Sequence, residues 1–340
     1  MNSTKINFAI IGCGSIAERH ANQIKLNGGK LIACCDVDKI KATNFASEYL
    51  INSYSSAEDM LQNENSIDVV AVCSPNGLHY EHTIISLKAG KHVICEKPMA
   101  LEAMHCKEMI ELAATKEKSL FMVMQNRFNP PVRELKKIID QHLLGTISNV
   151  HLSCYWNRNY DYYLNSSWKG TKSLDGGILY TQFSHFIDIL LWMFGDVKNV
   201  NAIVGNFNHK EFIEIEDSGI VCLKFKNNIL CTINYSVNAY KKNFEGSLTV
   251  IGANGIVKVG GAYLNTLEYC KIKDYQTDLI NEGNKENNYG SYAGSMSNHN
   301  HVYENVMEVF SNNASIATTG LEGLKTVELI QNIYQSATWI

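Results

Sequence analysis

A glycine-rich turn near the start of the chain constrains the fold more than any other part of the sequence. Residues 12–17 read Gly-Cys-Gly-Ser-Ile-Ala and fit the pattern G-x-G-x-x-A. An apolar run at residues 6–11 precedes the turn, and a helical stretch at residues 15–25 follows it. A buried strand, a glycine turn and a helix begin a β-α-β unit, which requires a parallel sheet covered by helices.

The small residues of the turn indicate what it binds. Gly12 permits the tight turn, Gly14 lets the backbone approach a pyrophosphate, and Ala17 lets the helix pack closely on the sheet. The backbone at Ser15 and Ile16 would then meet the phosphate at the positive end of the helix. The turn therefore predicts a dinucleotide site.

Asp36 narrows the choice of dinucleotide. It ends the next predicted strand, about 20 residues after the turn, where a carboxylate accepts hydrogen bonds from the hydroxyls of the adenosine ribose. The same charge would repel a 2′-phosphate, so the sequence favours NAD over NADP. The alternative is that Asp36 and Asp38 only cap the following helix.

Strand and helix signals go on alternating through the first third of the chain. Strands are predicted in the apolar runs 30–35, 68–73, 91–95 and 120–124, and helices at residues 79–89 and 101–116. We therefore expect an N-terminal Rossmann-type α/β domain over residues 1–125.

The pattern changes after two consecutive prolines at residues 130 and 131. Strands are predicted at residues 147–155, 218–225, 229–237, 246–251 and 255–259, and helices at 132–143, 184–194, 301–312 and 320–336. Turns are expected around Gly205 and at Asn227 and Asn228, the latter closing a hairpin. Residues 126–340 are thus predicted to form a C-terminal α+β domain with a large, mainly antiparallel sheet. The polar stretch 281–297 predicts a mobile loop.

Composition excludes several classes of function. The net charge is −4 over 340 residues, so no basic field attracts nucleic acid or anionic lipid. Ten cysteines without a C-x-x-C pair predict reduced thiols rather than a disulfide scaffold. The N-terminus has no apolar signal segment, and no apolar stretch approaches the length of about 18 residues that spans a membrane. We expect a soluble, cytoplasmic protein.

Three further motifs accompany the glycine turn. They are Ser-Pro-Asn-Gly-Leu-His at residues 74–79, Glu96-Lys97-Pro98, and His185 within Ser-His-Phe-Ile-Asp. With the turn, they resemble the Gfo/Idh/MocA oxidoreductases over nearly the whole chain. The resemblance implies a dehydrogenase that uses NAD and oxidises sugars or polyols.

Other motifs resemble one subgroup, the UDP-N-acetyl-2-amino-2-deoxyglucuronate 3-dehydrogenases of surface-polysaccharide synthesis. These motifs lie at residues 125–130, 168–171, 174–177, 242–247, 252–255 and 298–303. This resemblance implies oxidation of a ring hydroxyl, at C3, of a nucleotide-linked amino sugar or its uronate. Three alternatives stay open: a dehydrogenase of free sugars or inositol, an NAD-binding regulator without turnover, and an enzyme that cleaves glycosides through a 3-keto intermediate.

The resemblance assigns Lys97 and His185 as the catalytic pair. Oxidising a secondary alcohol requires transfer of a hydride to the nicotinamide and loss of the hydroxyl proton. A lysine near a cationic ring can have a lowered pKa, and a histidine can serve as base or relay. Pro98 after Lys97 resembles the family's cis-proline turn. The alternative for Lys97 is a surface lysine beside this turn, and the alternative for His185 is a capping or core histidine.

The remaining site residues follow from the strand ends and the motifs. Ligands of a parallel sheet bind at the carboxyl ends of its strands. The predicted cofactor-binding residues are Gly12, Gly14, Ser15, Ile16, Asp36, Ser74, Asn76, His79, Glu96, Lys97, Gln125 and Trp168. The predicted substrate-binding residues are Lys97, Arg127, Asn129, Arg158, Tyr163, Thr181, His185 and His299.

Several of these residues have alternative interpretations. Arg127, Arg158 and Lys169 could contact a carboxylate or diphosphate, or could be solvated surface charges. Tyr162, Tyr163 and Trp168 could stack on a ring or pack in the core. His299 and His301 have no carboxylate or cysteine partner at useful sequence spacing, so no metal is expected.

Thr181 departs from the family pattern. Many members carry an aspartate four positions before the histidine, where this chain has Thr181. One helical turn would place Thr181 beside His185. Thr181 can hydrogen-bond a substrate hydroxyl but cannot share charge with the histidine.

The apolar strands at residues 220–225 and 229–233 predict self-association. We expect a homo-dimer or homo-tetramer with this sheet at the interface.

Overall fold

The computed structural model describes residues 5–277, 286–288, 293–312 and 314–340. The chain divides into two units. The first, which we call the parallel-sheet unit, comprises Met1–Met124 and His299–Val327. The second, the mixed-sheet unit, comprises Gln125–Asn298 and Glu328–Ile340.

The parallel-sheet unit contains six strands, whose order is β3-β2-β1-β4-β5-β6. All five pairs are parallel, and helices connect successive strands. The strands are β1 (Asn7–Ile11), β2 (Lys30–Cys35), β3 (Asn52–Tyr54), β4 (Val69–Val72), β5 (His92–Cys95) and β6 (Leu120–Met122). The helices are α1 (Ala17–Leu26), α2 (Lys39–Tyr49), α3 (Ala57–Asn63), α4 (His79–Lys88) and α5 (Ala103–Thr115). The predicted Rossmann-type fold is confirmed.

The strand order of this unit determines where a ligand can bind. Strands β1 and β4 are neighbours, although β2 and β3 separate them along the chain. The connections that leave β1 and β4 run to opposite sides, and such a switch point opens a crevice at the carboxyl ends of the strands. The glycine turn follows β1, and the predicted motif at residues 74–79 follows β4.

The parallel-sheet unit is completed by a segment from the far end of the chain. Helix α10 (His299–Asn312) and the first part of helix α11 (Gly320–Ser336), up to Val327, belong to it. Tyr303 packs on Phe8 of β1, with ring centroids 6.0 Å apart, and the Thr318 hydroxyl donates to the carbonyl of Met122 in β6. The prediction that residues 126–340 form one domain therefore differs from the structure. The Thr318–Met122 contact joins residues 196 positions apart, and the Tyr303–Phe8 contact joins residues still farther apart, which sequence patterns do not reveal.

The mixed-sheet unit is built on eight strands in the order β13-β12-β11-β7-β10-β9-β8-β16. These strands are β7 (Ile147–Tyr155), β8 (Val197–Gly205), β9 (Ser218–Phe225), β10 (Leu230–Ser236), β11 (Glu245–Gly252), β12 (Gly255–Gly260), β13 (Thr266–Ile272) and β16 (Ala337–Trp339). Two neighbouring pairs, β7 with β10 and β8 with β16, are parallel, and the others are antiparallel. The sheet is thus mixed, with antiparallel pairs in the majority.

Besides the last part of α11, further helices of the described residues accompany this sheet in the same unit. They are α6 (Pro130–Asp140), α7 (Tyr160–Leu164), α8 (Ile178–Thr181) and α9 (Ser184–Phe194). Helix α9 is apolar around most of its circumference and buried along nearly all of its length, as expected of a core helix. Its Phe186 ring packs against Trp156, with centroids 5.8 Å apart.

The turn predictions can be compared with the structure. Strands β9 and β10 form the expected hairpin, and Asn228 adopts the left-handed conformation at its turn with φ of 69°. Within the polar stretch 281–297, β14 (Glu286–Asn288) pairs with β15 (Ala293–Met296), so these parts are strands rather than loop. Residues 281–285 and 289–292 of that stretch lie outside the described residues.

All ten cysteines are free thiols, and Cys222 is exposed. Among the helices of the described ranges, none combines the length and the apolar character needed to cross a membrane.

Candidate active site

The glycine turn leaves room for a phosphate group. Gly12 has φ of +93°, and a side chain there would lie 2.8 Å from the backbone of Cys73 at the end of β4, so only glycine fits. A Cβ at Gly14 would have no atom within 4 Å, and Gly14 and Ser15 are exposed at the start of α1. The segment that leads into this helix is therefore open to a ligand, and a pyrophosphate at the positive end of the helix fits there.

Asp36 belongs to the same site. Its two carboxylate oxygens accept the backbone N–H groups of Cys13 and Asp38, each at 2.8 Å. Asp38, not Asp36, caps helix α2, since its side chain accepts from Ile40 and Lys41. Asp36 is half-buried, and each of its oxygens has a second lone pair available for a ribose hydroxyl. The arrangement fits NAD.

The segment after β4 is fixed by a buried histidine. His79 Nδ1 lies 2.6 Å from the Pro98 carbonyl oxygen, and Nε2 lies 2.8 Å from that of Ser74. Burial lowers the pKa of His79, so the neutral ring donates to one carbonyl at a time. The Ser74 hydroxyl also contacts His82 Nδ1, and Asn76 is buried in a short 3-10 turn. His79 thus joins two predicted cofactor-binding segments.

Glu96 and Lys97 follow β5, and the Lys97-Pro98 peptide bond is cis. Glu96 is buried, with Oε1 2.9 Å from His20 Nε2 and 3.6 Å from His299 Nε2. Burial alone would raise the pKa of the Glu96 carboxyl, but the two histidines hold it well below its usual range. The other oxygen, Oε2, accepts the backbone N–H of Lys97 at 3.1 Å, and Lys97 itself is half-buried.

His20, Glu96 and His299 are of the residue types that bind metal ions, and their nearest polar atoms all lie within 4.8 Å of one another. The expectation that His299 lacks a carboxylate partner was therefore wrong, because it considered sequence spacing alone. The 2.9 Å separation between His20 and Glu96 is, however, that of a direct hydrogen bond.

In the mixed-sheet unit, Arg127 forms a buried ion pair. Its Nε and Nη2 donate to the two carboxylate oxygens of Asp188 at 2.7 and 2.6 Å, and its guanidinium lies 5.1 Å from the Trp192 ring centroid. Asp188 is three residues after His185 on helix α9. The alternative that Arg127 is a solvated surface charge is wrong. The bidentate pair fixes the helix that carries His185.

Asn129 and Gln125 are also buried in this unit. Asn129 donates to the carbonyls of Tyr263 and Leu264 and accepts from Asn298 at 2.5 Å. Gln125 donates to the Ser295 hydroxyl at 3.2 Å, while its Oε1 has no hydrogen-bond partner among the described residues. Gln125 therefore retains an acceptor for a ligand.

Two cations share one aromatic ring. The Arg158 guanidinium carbon lies 5.1 Å and Lys169 Nζ lies 3.9 Å from the centroid of the Tyr162 ring. Arg158 is buried and donates to Gln182 at 2.7 Å and to Asn243 at 3.1 Å. Burial first, and the Arg158 charge second, lower the pKa of Lys169 to about 8. Neither residue is a freely solvated surface charge, and the pair favours an anionic ligand.

Two aromatic residues lie near this pair in the sequence. Tyr163 is buried, and its hydroxyl has no hydrogen-bond partner among the described residues. Trp168 is half-buried, and its carbonyl accepts from the Thr171 hydroxyl.

Thr181 and His185 do not share a continuous helix. Helix α8 ends at Thr181 and α9 begins at Ser184, because Phe183 leaves the helical conformation. The continuous helix on which the prediction for Thr181 depended is therefore absent, and the proximity of Thr181 to His185 stays a prediction. The Thr181 hydroxyl donates instead to the buried carboxylate of Asp175, which also accepts from Gly170 N at 2.8 Å. His185 is buried on α9.

Four residues of these networks were not singled out from the sequence: His20, Tyr303, Asp175 and Asp188. The last two lie within the motifs at residues 174–177 and 184–188, so the motifs contained the signal. His20 lies on the predicted helix after the glycine turn, and Tyr303 in the motif 298–303. Nothing in the local pattern shows that these two residues meet.

Comparison with known proteins identifies the family. Residues 6–124 match the oxidoreductase family with an NAD-binding Rossmann fold, and residues 132–258 match the Gfo/Idh/MocA C-terminal domain. Inositol 2-dehydrogenase/D-chiro-inositol 3-dehydrogenase of Halalkalibacterium halodurans is 27% identical over 259 residues, which cover 75% of this chain and 71% of that protein.

Two solved structures are similar over almost the whole chain. The WlbA dehydrogenase of Chromobacterium violaceum, in complex with NADH and UDP-GlcNAcA, is 32% identical with a TM-score of 0.89, covering 99% of this chain and 94% of that one. The Bordetella pertussis WlbA dehydrogenase, in the same complex, is 31% identical with a TM-score of 0.89, covering 98% and 96%. The chain therefore belongs to the Gfo/Idh/MocA oxidoreductases and is an NAD-dependent dehydrogenase of that family.

Proposed function

We propose that this dehydrogenase oxidises a ring hydroxyl, at C3, of a nucleotide-linked amino sugar or its uronate. The observation that carries the proposal is the full-length similarity to two dehydrogenases whose structures hold NADH and UDP-GlcNAcA. The paired cations Arg158 and Lys169 support it, because a uronate and a diphosphate are both anionic.

Residues of the parallel-sheet unit would hold the pyrophosphate and the adenosine ribose of the cofactor. The amino end of α1 meets the pyrophosphate, and Asp36 accepts the ribose hydroxyls. Bound NAD supplies the hydride acceptor. We further propose Ser74, Asn76, His79, Glu96, Gln125 and Trp168 as the remaining residues of the cofactor site.

Lys97 and His185 are proposed to handle the proton of the substrate hydroxyl. The Lys97 backbone is held by Glu96, and the helix that carries His185 is held by the Arg127–Asp188 ion pair. Each side chain is therefore mounted on a fixed segment, as proton transfer to a positioned group requires.

The other predicted substrate contacts divide into two groups. Arg158, Tyr163, Thr181 and His299 remain proposed contacts. Arg127 and Asn129 use their polar atoms within the mixed-sheet unit, so we propose that they shape the site rather than touch the sugar.

Reduction of NAD by purified enzyme tests this function. The panel holds UDP-GlcNAcA, UDP-GlcNAc, free glucose and inositol, each with and without 2-oxoglutarate as a second oxidant. NADH or a keto sugar formed only from the nucleotide sugars is the expected result. Turnover of free polyols would instead support the second candidate, an inositol or sugar dehydrogenase, which the 27% identity to the inositol enzyme favours. Bound NAD without turnover of any sugar would contradict both.

Substitution of Lys97 separates proton transfer from cofactor binding. Lys97→Met should lower kcat by about 10³-fold, within the range seen on losing a general base, while NADH binding measured by fluorescence stays close to that of the wild type. Lys91→Met is the matched control, because Lys91 Nζ donates only to backbone carbonyls of Asn65 and Ile67 among its described partners. Near-normal turnover of Lys97→Met would remove Lys97 from the mechanism.

A further inference from the structure

A series of buried hydrogen bonds joins helix α10 to the Glu96-Lys97-Pro98 segment. Tyr303 Oη lies 2.7 Å from His20 Nδ1, and His20 Nε2 lies 2.9 Å from Glu96 Oε1. Glu96 Oε2 then accepts the Lys97 backbone N–H at 3.1 Å. His20 and Tyr303 have no exposed surface, so water does not compete for these bonds.

The charge of Glu96 determines which atoms donate and which accept in this series of hydrogen bonds. The pKa of this carboxyl is held well below its usual range despite burial, so Glu96 is ionised and can only accept hydrogen bonds. His20 must therefore donate through Nε2. On the other side of the ring, the Tyr303 hydroxyl lies 2.7 Å from Nδ1 and fixes the orientation in which Nε2 faces Glu96.

The same atoms argue against a metal ion as the purpose of the cluster. An ion bound by His20 and Glu96 would need the lone pair of Nε2, which here carries the proton directed at Glu96. His299 Nε2 remains 3.6 Å from Glu96 and adds a neutral neighbour, since burial lowers the pKa of His299.

We propose that Tyr303 and His20 are positioning residues for Lys97. They orient the Glu96 carboxylate, which in turn holds the Lys97 backbone in place. This inference rests on the proposed role of Lys97 in proton transfer. Helix α10, which belongs to the parallel-sheet unit, would then contribute to the reaction rate. A misplaced catalytic group lowers the rate even when the cofactor still binds.

Two substitutions of His20 distinguish positioning from simple packing. A glutamine amide reaches the place of Nε2 and can still donate to Glu96, whereas an asparagine amide reaches only the place of Nδ1. His20→Gln should keep kcat within about threefold of the wild type, and His20→Asn should lower it by about tenfold or more. KM for NAD should change little in either variant.

Tyr303→Phe removes only the hydroxyl and leaves the ring against Phe8. It should lower kcat by about threefold to tenfold. Tyr54→Phe is the matched control, because it removes a hydroxyl that contacts a different carboxylate, Glu64, at 2.8 Å in the same unit. The control should keep the wild-type kcat.

A second readout does not depend on turnover. In protein labelled with ¹⁵N-lysine, the Lys97 amide signal, assigned by its loss in Lys97→Arg, reports its hydrogen bond to Glu96. It should move in His20→Asn and Tyr303→Phe and stay in place in His20→Gln and Tyr54→Phe. If no sugar is oxidised, the proposed function fails, but this spectrum still tests the hydrogen bonds that run from Tyr303 through His20 and Glu96 to Lys97.

Three results would overturn the inference. One is an equal loss of kcat in His20→Gln and His20→Asn. Another is a Lys97 amide signal that is indifferent to all substitutions. The third is a stoichiometric metal ion, found by elemental analysis of the purified enzyme and lost in Glu96→Gln.

Discussion

The charge of Lys169 depends on its immediate neighbours. Its ammonium group lies over the Tyr162 ring, and Arg158 approaches the same ring. Because burial and this second cation lower the pKa of Lys169 to about 8, the side chain loses its proton just above neutral pH. An anionic substrate held by Lys169 would therefore bind most tightly below that pH.

This argument predicts a pH dependence of substrate binding. Between pH 7 and pH 9 the KM for an anionic sugar nucleotide should rise in the wild type, as Lys169 becomes neutral. Lys169→Arg should flatten the curve, because a guanidinium stays protonated throughout this range. Steady-state kinetics at saturating NAD gives the measurement, with the exposed Lys172→Arg as control. Parallel curves for wild type and Lys169→Arg would show that Lys169 does not meet the anion.

At the level of elements, three parts of the mixed-sheet unit meet on one carboxylate. Glu216 Oε1 accepts from Ile178 N at the start of α8, from Tyr235 of β10 at 3.2 Å and from Tyr334 of α11 at 2.5 Å. Gly177 has φ of +143°, and a Cβ there would lie 2.2 Å from the Tyr334 hydroxyl. This junction fixes the entry into the helices that carry Thr181 and His185.

The junction makes stability depend on pH. Burial raises the pKa of Glu216 to about 7 from 4.5, so the folded protein binds more protons than the unfolded chain between these values. The free energy of unfolding should therefore fall as pH rises from about 4.5 to 7, by about 3 kcal/mol from this group. Glu216→Gln should lack that part of the slope. Urea unfolding at pH 5, 6, 7 and 8 compares the two proteins, and identical slopes would contradict the assignment.

Local patterns predicted much of the element structure. The glycine turn, the β9–β10 hairpin and helix α9 depend on neighbouring residues, and their positions follow from the sequence. Strand β3 has only three residues, two of them exposed, so no apolar run marks it. The placement of α10 rests on Phe8, His20 and Phe121, each far away in the chain.

The candidate site was predictable in its residue types but not in its pairings. The motifs identified Glu96, Lys97 and His185. The partners of Arg127 and Thr181 are carboxylates set by tertiary packing, so neither contact could be read from spacing. Thr181 was interpreted through the periodicity of one continuous helix, but the helix is interrupted before Ser184, because Phe183 leaves the helical conformation.

At the scale of the whole molecule, one face of the mixed sheet exposes apolar side chains. Ile203 of β8 and Ile220 of β9 are register partners with 51% and 53% of their surface exposed. Leu230, Ile251 and Ile256 are exposed on the same sheet. We propose that a second copy of the chain covers this face in a homo-dimer or homo-tetramer.

The proposed assembly is open to a direct test. Ile220→Lys places a charge in the covered face and should shift the mass measured by light scattering at micromolar concentration towards the monomer. Ile40→Lys, on helix α2 of the parallel-sheet unit and 72% exposed, serves as control and should leave the mass unchanged. A wild-type monomer under the same conditions would refute the proposal.

Because α10 belongs to the parallel-sheet unit, this unit cannot be completed until late in the synthesis of the protein. A nascent chain that has emerged only as far as residue 124 exposes Phe8 and His20, because Tyr303 has not yet been made. The cofactor-binding unit begins first but is completed only after strands β7 to β13 of the mixed sheet have been synthesised. A ribosome that stalls or terminates before residue 299 therefore releases a protein whose first half is unfinished.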